Sequence, residues 1–280
     1  MCGIAGLCSS QPADLIKTRV HRMMHTMERR GPDSDGYENW DGVGLGHRRL
    51  AILDLSPAGH QPMLSADGRF VLSYNGEVYN FKALQKELER VGCVFRSRSD
   101  TEVVLNALSV WGTAALNRFN GMFALALWDR ENRSLLLARD RYGIKPLYTA
   151  VQGSMVSFAS EQKALLAIPG FQRTVDKPAL LEYFTFQNIF TDRTFNTQIK
   201  LLPAGHFLEV DPRTGHATSH RYWDFRFEEP STPGDPREYE EELNRLLRQA
   251  VSRQLLSDVE IGSYLSGGMD SGTLTALASQ

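Results

Sequence analysis

The nine residues Glu228-Glu229-Pro230-Ser231-Thr232-Pro233-Gly234-Asp235-Pro236 constrain this chain more than any other stretch of it. Three prolines fix φ and withhold backbone donors, so neither a helix nor a strand runs through them and the stretch reads as a linker. The 280 residues therefore divide unequally. We place a large first domain at 2–217, the linker at 218–236 and the beginning of a second domain at 237–280.

Within the first domain, hydrophobic periodicity predicts many strands and few, separated helices. Ile4–Cys8, Leu45–Leu55, Phe70–Tyr74, Met122–Trp128, Leu135–Ala138 and Met155–Ala159 read as strands. Ile16, Val20, Met23, Met24 and Met27 recur at helical spacing, as do Phe81, Leu84, Leu88 and Val91 ahead of Gly92. The methionine stripe is a core face. Arg29–Gly36 reads as a loop, and Gln162–Ile168 and Pro178–Phe184 as short helices. Ser99 and Glu102 stand at capping-box spacing before Val103 and Val104. Scattered strands with isolated helices point to an α+β domain, not a βαβ repeat.

Composition excludes several classes. The chain is 42% hydrophobic with a net charge of −2, which argues against a nucleic-acid or membrane-surface partner. No apolar run approaches the roughly 20 residues that span a bilayer. Three cysteines without metal spacing (Cys2, Cys8, Cys93) fit no metal site and suit a reducing, cytoplasmic setting. Cys8 and Cys93 read as packing residues.

Cys2 is different. Removal of Met1 would leave it N-terminal, carrying a thiol and an α-amine whose ordinary pKa is about 7.7–8. That amine can take the thiol proton, directly or through one water, so nucleophile and base arrive on one residue. Other groups admit two readings. Arg49 is either a carboxylate-gripping fork or a solvated surface group. Asn75-Gly76 is either a two-donor pocket for an oxyanion or a hairpin turn. Asp100 is either a ligand or a solvated carboxylate at a helix start.

Beyond the linker, Leu243, Leu246, Leu247, Ala250, Val251 and Leu255 line a helix face, and Val259–Leu265 reads as a strand. The loop Ser266-Gly267-Gly268-Met269-Asp270-Ser271 precedes a helix over Thr273–Ala278. Such a loop cradles phosphates on backbone amides at a helix N-terminus. No Gly-Lys-Ser/Thr follows, so it is not the common P-loop.

Eleven collinear segments together resemble the glutamine-dependent asparagine synthetase family. They run from Cys2-Gly3-Ile4-Ala5-Gly6 through Arg30-Gly31-Pro32-Asp33, Gly46–Ile52, Gly59–Met63, Tyr74–Asn80 and Ser99–Glu102. Phe119–Phe123, Arg139–Tyr148, Leu202–His206, Tyr222-Trp223-Asp224 and Ser266–Ser271 complete the set. The resemblance implies an N-terminal-nucleophile hydrolase fold, a four-layer αββα sandwich, followed by the start of an α/β ATP-pyrophosphatase-type domain. It implies that Cys2 attacks the side-chain amide of glutamine while Asn75 and Gly76 hold the tetrahedral intermediate. By the same carry-over Arg49 grips the α-carboxylate, Glu77 and Asp100 engage the α-amine, and Leu50 and Ile52 line the pocket. Leu265, Ser266, Gly267, Gly268, Asp270 and Ser271 would bind ATP with Mg2+, for transfer of ammonia to aspartate. A homodimer is compatible with this resemblance. Amidation of another carboxylate, a peptide or a sugar acid, is the alternative, because the acceptor site lies beyond Gln280. Two departures stand out: Met269 where Leu is usual, and Gly272 where a second Ser is common.

Overall fold

A computed structural model describes residues 1–228 and 234–280, so the middle of the expected linker lies outside the described residues. The chain forms two compact units, Met1–Asp224 and Phe225–Gln280. In chain order the first unit holds β1 (Gly3–Cys8), α1 (Ala13–His25), β2 (Ser34–Trp40), β3 (Val43–Arg49), β4 (Met63–Leu64) and β5 (Phe70–Val78). Next come α2 (Phe81–Arg90), α3 (Asp100–Trp111), β6 (Gly121–Asp129), β7 (Ser134–Arg139), β8 (Tyr148–Gln152) and β9 (Met155–Ala159). The unit closes with α4 (Gln162–Leu166), α5 (Lys177–Phe186), β10 (Lys200–Leu201), β11 (His206–Asp211) and β12 (His216–Arg221).

Two six-stranded antiparallel sheets result, ordered β10-β8-β9-β1-β3-β2 and β12-β11-β7-β6-β5-β4. Side-chain alternation along β1 explains how they stack. Ile4 and Cys8, with Val43 and Leu45, face the second sheet and pack among Val71, Ala124, Ala126, Trp128 and Leu137. Ala5 and Leu7 face the other way and meet the stripe Ile16, Val20, Met23, Met24 and Met27. Period two on the strand and period 3.6 on α1 thus fill two separate cores. With α3 against β5 on the far side, the layers are helix, sheet, sheet, helix: the expected αββα sandwich. Each fully buried aliphatic side chain here stabilises the fold by roughly 1.5–3 kcal/mol.

Several expectations need correction. The strand expected over Leu45–Leu55 ends at Arg49, because its partner β1 begins at Gly3, opposite Arg48. Asn75-Gly76 is not a turn; it lies inside β5, paired with Ala124 and Phe123 of β6. Ser99 caps α3 by accepting from Thr101 N, while Glu102 turns away to the backbone N–H groups of Arg96 and Ser97, so no capping box forms. The edge 217/218 falls within β12, which pairs with β11 and belongs to the first unit. β2, at the end of the expected Arg29–Gly36 loop, went unread, as did β8, β11 and β12.

The second unit holds α6 (Pro236–Gln254) and α7 (Met269–Ala278). Neither helix buries a residue. Val259–Leu265 forms no strand; among the described residues no strand of this unit exists to pair with it.

Candidate active site

The register of β1 and β3 builds the first half of the site. Gly3 pairs with Arg48, which carries Cys2 to the end of β3. Leu50 N–H donates to Cys2 Sγ at 3.4 Å, and Leu50 O lies 3.5 Å from the same sulfur. Arg30 Nε donates to Cys2 O at 2.9 Å and Arg30 ion-pairs with Glu161 at 3.2 Å. A Cβ on Gly31 would stand 2.3 Å from the Arg48 carbonyl carbon, so glycine alone lets this loop close behind Cys2. Burial pushes the Cys2 thiol up; the Leu50 bond and the charges of the Met1 amine, Arg49 and Lys145 oppose it. A thiol held this way needs a base. No histidine lines the cleft, and nearby His47 donates to Tyr74 O and is pushed down to about 3 by burial, so it stays neutral.

The free edge of β5 builds the other half. Tyr74 N–H donates to Gln61 Oε1 at 2.7 Å and Val78 N–H to Asp100 Oδ2 at 2.9 Å. Alternate residues of a strand point their N–H groups to the same edge, so Gly76 N–H lies between these two, aimed away from β6. No side chain among the described residues takes it. Asn75 is buried and its Nδ2 also lacks a partner. Buried donors are almost always satisfied, so two open donors on adjacent residues leave room for an acceptor from outside the protein. A Cβ on Gly76 would sit 2.4 Å from Met122 O, which explains the glycine.

The charged groups complete the cleft. Arg49 donates to Ser56 O and Leu53 O at 3.3 Å and also to Asp54 O, so residues 50–59 wrap its guanidinium. Gly59 leaves room for it, since a Cβ there would meet Nη2 at 2.2 Å. Asp100 accepts from Tyr74 Oη and Val78 N–H, yet burial still raises it to about 6. Burial raises Glu77 as well, and the Asp100 carboxylate adds to the effect. Cys2, Arg49, Leu50, Ile52, Asn75, Gly76, Glu77 and Asp100, far apart in sequence, line one narrow cleft of about 60 Å³. A guanidinium, two carboxylates and a thiol with two open donors in one cleft suit an amino acid carrying a side-chain carbonyl. A wider groove lies over β7 and β11, but its charges pair among themselves, as Arg69 and Asp129 do at 2.7 Å.

Sequence reasoning gave no role to Gln61, Tyr74 or Lys145, which line the same cleft. The signal for Lys145 was the segment Arg139–Tyr148 itself. Asp140 accepts from the N–H groups of Phe123, Tyr142, Ile144 and Lys145. Arg139 donates to the carbonyls of Gly143, Lys145 and Leu202. The motif is a clamp that presents one lysine.

In the second unit, Gly268 caps α7 and Gly267 takes φ +84° with open space around it. Ser266 Oγ and Ser271 Oγ lie 2.9 Å apart, and Ser271 Oγ donates to Gly268 O. Hydroxyls, exposed amides and open space fit the acceptor oxygens of a phosphate. Leu265 and Asp270 flank this loop and are likewise exposed. Among the described residues no group of three His, Cys, Asp or Glu is placed to hold a metal ion, and no helix is long and apolar enough to cross a membrane.

Comparison with known proteins agrees with this geometry. The chain is 35% identical over 287 residues to asparagine synthetase [glutamine-hydrolyzing] 1 of Bacillus subtilis, covering 100% of this chain and 44% of that protein. It is 37% identical to asparagine synthetase [glutamine-hydrolyzing] 3 of the same organism, covering 99% and 45%. The chain thus spans less than half the length of these relatives. Glutamine phosphoribosylpyrophosphate amidotransferase from B. subtilis, solved with ADP and GMP, shares the fold at TM-score 0.62 and 17% identity over 99% of this chain and 64% of that one. Residues 242–280 match the asparagine synthase family. Residues 1–223 match the glutamine amidotransferase domain, and to that family the chain belongs.

Proposed function

We propose that this chain is the glutaminase-bearing part of a glutamine-hydrolysing asparagine synthetase. The observation that carries the reading is the pair of unsatisfied donors, Asn75 Nδ2 and Gly76 N–H, in the cleft that holds the Cys2 thiol. With Met1 removed, the Cys2 α-amine accepts the thiol proton, and the thiolate attacks the amide carbon of glutamine. Charge gathering on the amide oxygen meets the two donors, each worth a factor of about 10²–10³ in such sites. The protonated amine gives its proton to the departing nitrogen, ammonia leaves, and a thioester remains on Cys2. Water then releases glutamate. Arg49 pairs with the substrate carboxylate, and Glu77 and Asp100 with its ammonium group.

The asparagine synthase match over 242–280 supports the second half of the reading. The Ser266–Ser271 loop binds ATP phosphates, accompanied by Mg2+, and the ammonia is transferred to aspartate in a cytoplasmic enzyme. Leu265, Gly267, Gly268 and Asp270 shape that loop. The test is glutamate release by the purified chain, with Met1 removal checked by intact mass. Cys2→Ala is expected to abolish release while leaving the melting temperature unchanged; undiminished release by that variant refutes the reading.

A further inference from the structure

Lys145 is buried, 6% exposed, and the steps above leave it unused. Its backbone cannot drift: N–H donates to Asp140 Oδ2 at 2.9 Å and O accepts from Arg139 Nε at 2.8 Å. Its Nζ lies 3.4 Å from Met1 Sδ, the one polar atom in bonding reach among the described residues. The cation therefore stands at the residue that precedes the nucleophile. Burying a charge without a bonded counter-ion is costly, and such an arrangement persists where the charge has a task.

We propose that Lys145 is a positioning residue for the nucleophile: its clamped ammonium stabilises the Cys2 thiolate in the cleft that both line. The inference rests on the removal of Met1 proposed above. In the step concerned, the proton moves from Sγ to the α-amine and then to the leaving nitrogen, and Lys145 neither gains nor loses one. The charged groups around it divide by sign. Burial pulls the Lys145 ammonium down; Glu77 on β5, Cys2 and Asp140 after β7 favour the cation, whereas Arg30 ahead of β2 opposes it. Asp33 and Arg30 act on the Met1 amine, and Arg49 acts on the Cys2 thiol. Lys145 pulls the Cys2 thiol downward, and in the chain that keeps Met1 it acts in the same sense on the Met1 amine.

The test is the pH dependence of Cys2 alkylation by iodoacetamide, mapped by peptide mass on chain lacking Met1. In Lys145→Met the midpoint is expected to rise by about one pH unit, a size that a cation several ångströms away supplies in a partly buried site. Alkylation at pH 7 then slows only about threefold, because a more basic thiolate is also more nucleophilic. Lys145→Arg should keep the wild-type midpoint, and Cys93 should alkylate alike in all three. Lys145→Gln repeats the comparison should the methionine variant not fold. An unmoved midpoint in the neutral variants overturns the inference, as does an equal shift in Lys145→Arg, which would mean packing and not charge. Glutamate release by the wild type is read separately. A Lys145-dependent midpoint in protein that releases no glutamate refutes the glutaminase reading and leaves this one standing.

Discussion

Asn75→Ala separates catalysis from stability more cleanly than any other change in the cleft. In the free protein Asn75 Nδ2 donates to nothing, so the variant loses no hydrogen bond from that atom. A buried unsatisfied donor costs about 1–3 kcal/mol, and its removal offsets much of the packing lost with three side-chain atoms. The net change in stability is therefore expected to stay within about 1 kcal/mol, or roughly 2–4 °C in a unit of this size. Turnover is a different matter. A donor that bonds only the tetrahedral oxyanion acts only in the transition state, so its loss lowers kcat by about 10²–10³, or 2.7–4 kcal/mol, with KM nearly unchanged. Steady-state glutamate release and a thermal melt on the same preparation measure both. A kcat loss under tenfold, or an equal loss accompanied by a collapse in Tm, would refute the reasoning.

Asp100 carries a pH prediction. Its titration is raised from 3.8 to about 6, so the folded state binds the proton more tightly than the unfolded state. The group therefore costs nothing below about pH 4 and costs about 3 kcal/mol above pH 6. The Tm of Asp100→Asn minus that of the wild type should rise by roughly 6–12 °C between pH 4 and pH 7; a flat difference would contradict the burial argument. Glutamine affinity should strengthen as pH rises through about 6 in the wild type, because an ionised Asp100 is what pairs with the substrate ammonium. Arg49→Lys replaces a fork with a point charge and should raise KM for glutamine about 10- to 100-fold, since a hydrogen bond to a charged group is worth about 1.5–3 kcal/mol. An unaltered KM would remove Arg49 from carboxylate recognition.

Local chemistry made part of this protein legible before any coordinates. The stripe Ile16–Met27 and the alternation Ile4–Cys8 mark core faces by their period, and each packs as its period requires. Cys2 stands out by its own chemistry, whereas Arg49, Asn75 and Asp100 each admit two readings until the resemblance selects one. Short strands such as β8 and β12 were not legible, because pairing with β9 and with β11, and not side-chain pattern, holds them. The partners of the charged groups were equally hidden. Whether Asn75-Gly76 bends or runs straight depends on β6 lying beside it, and whether Glu102 caps a helix depends on the Arg96 and Ser97 amides nearby. The type of each reacting group is a property of the residue and can be read from its letter. An open donor, a raised carboxyl or a clamped lysine is a property of what surrounds the group, and only the packing of two sheets from distant stretches of chain supplies those surroundings.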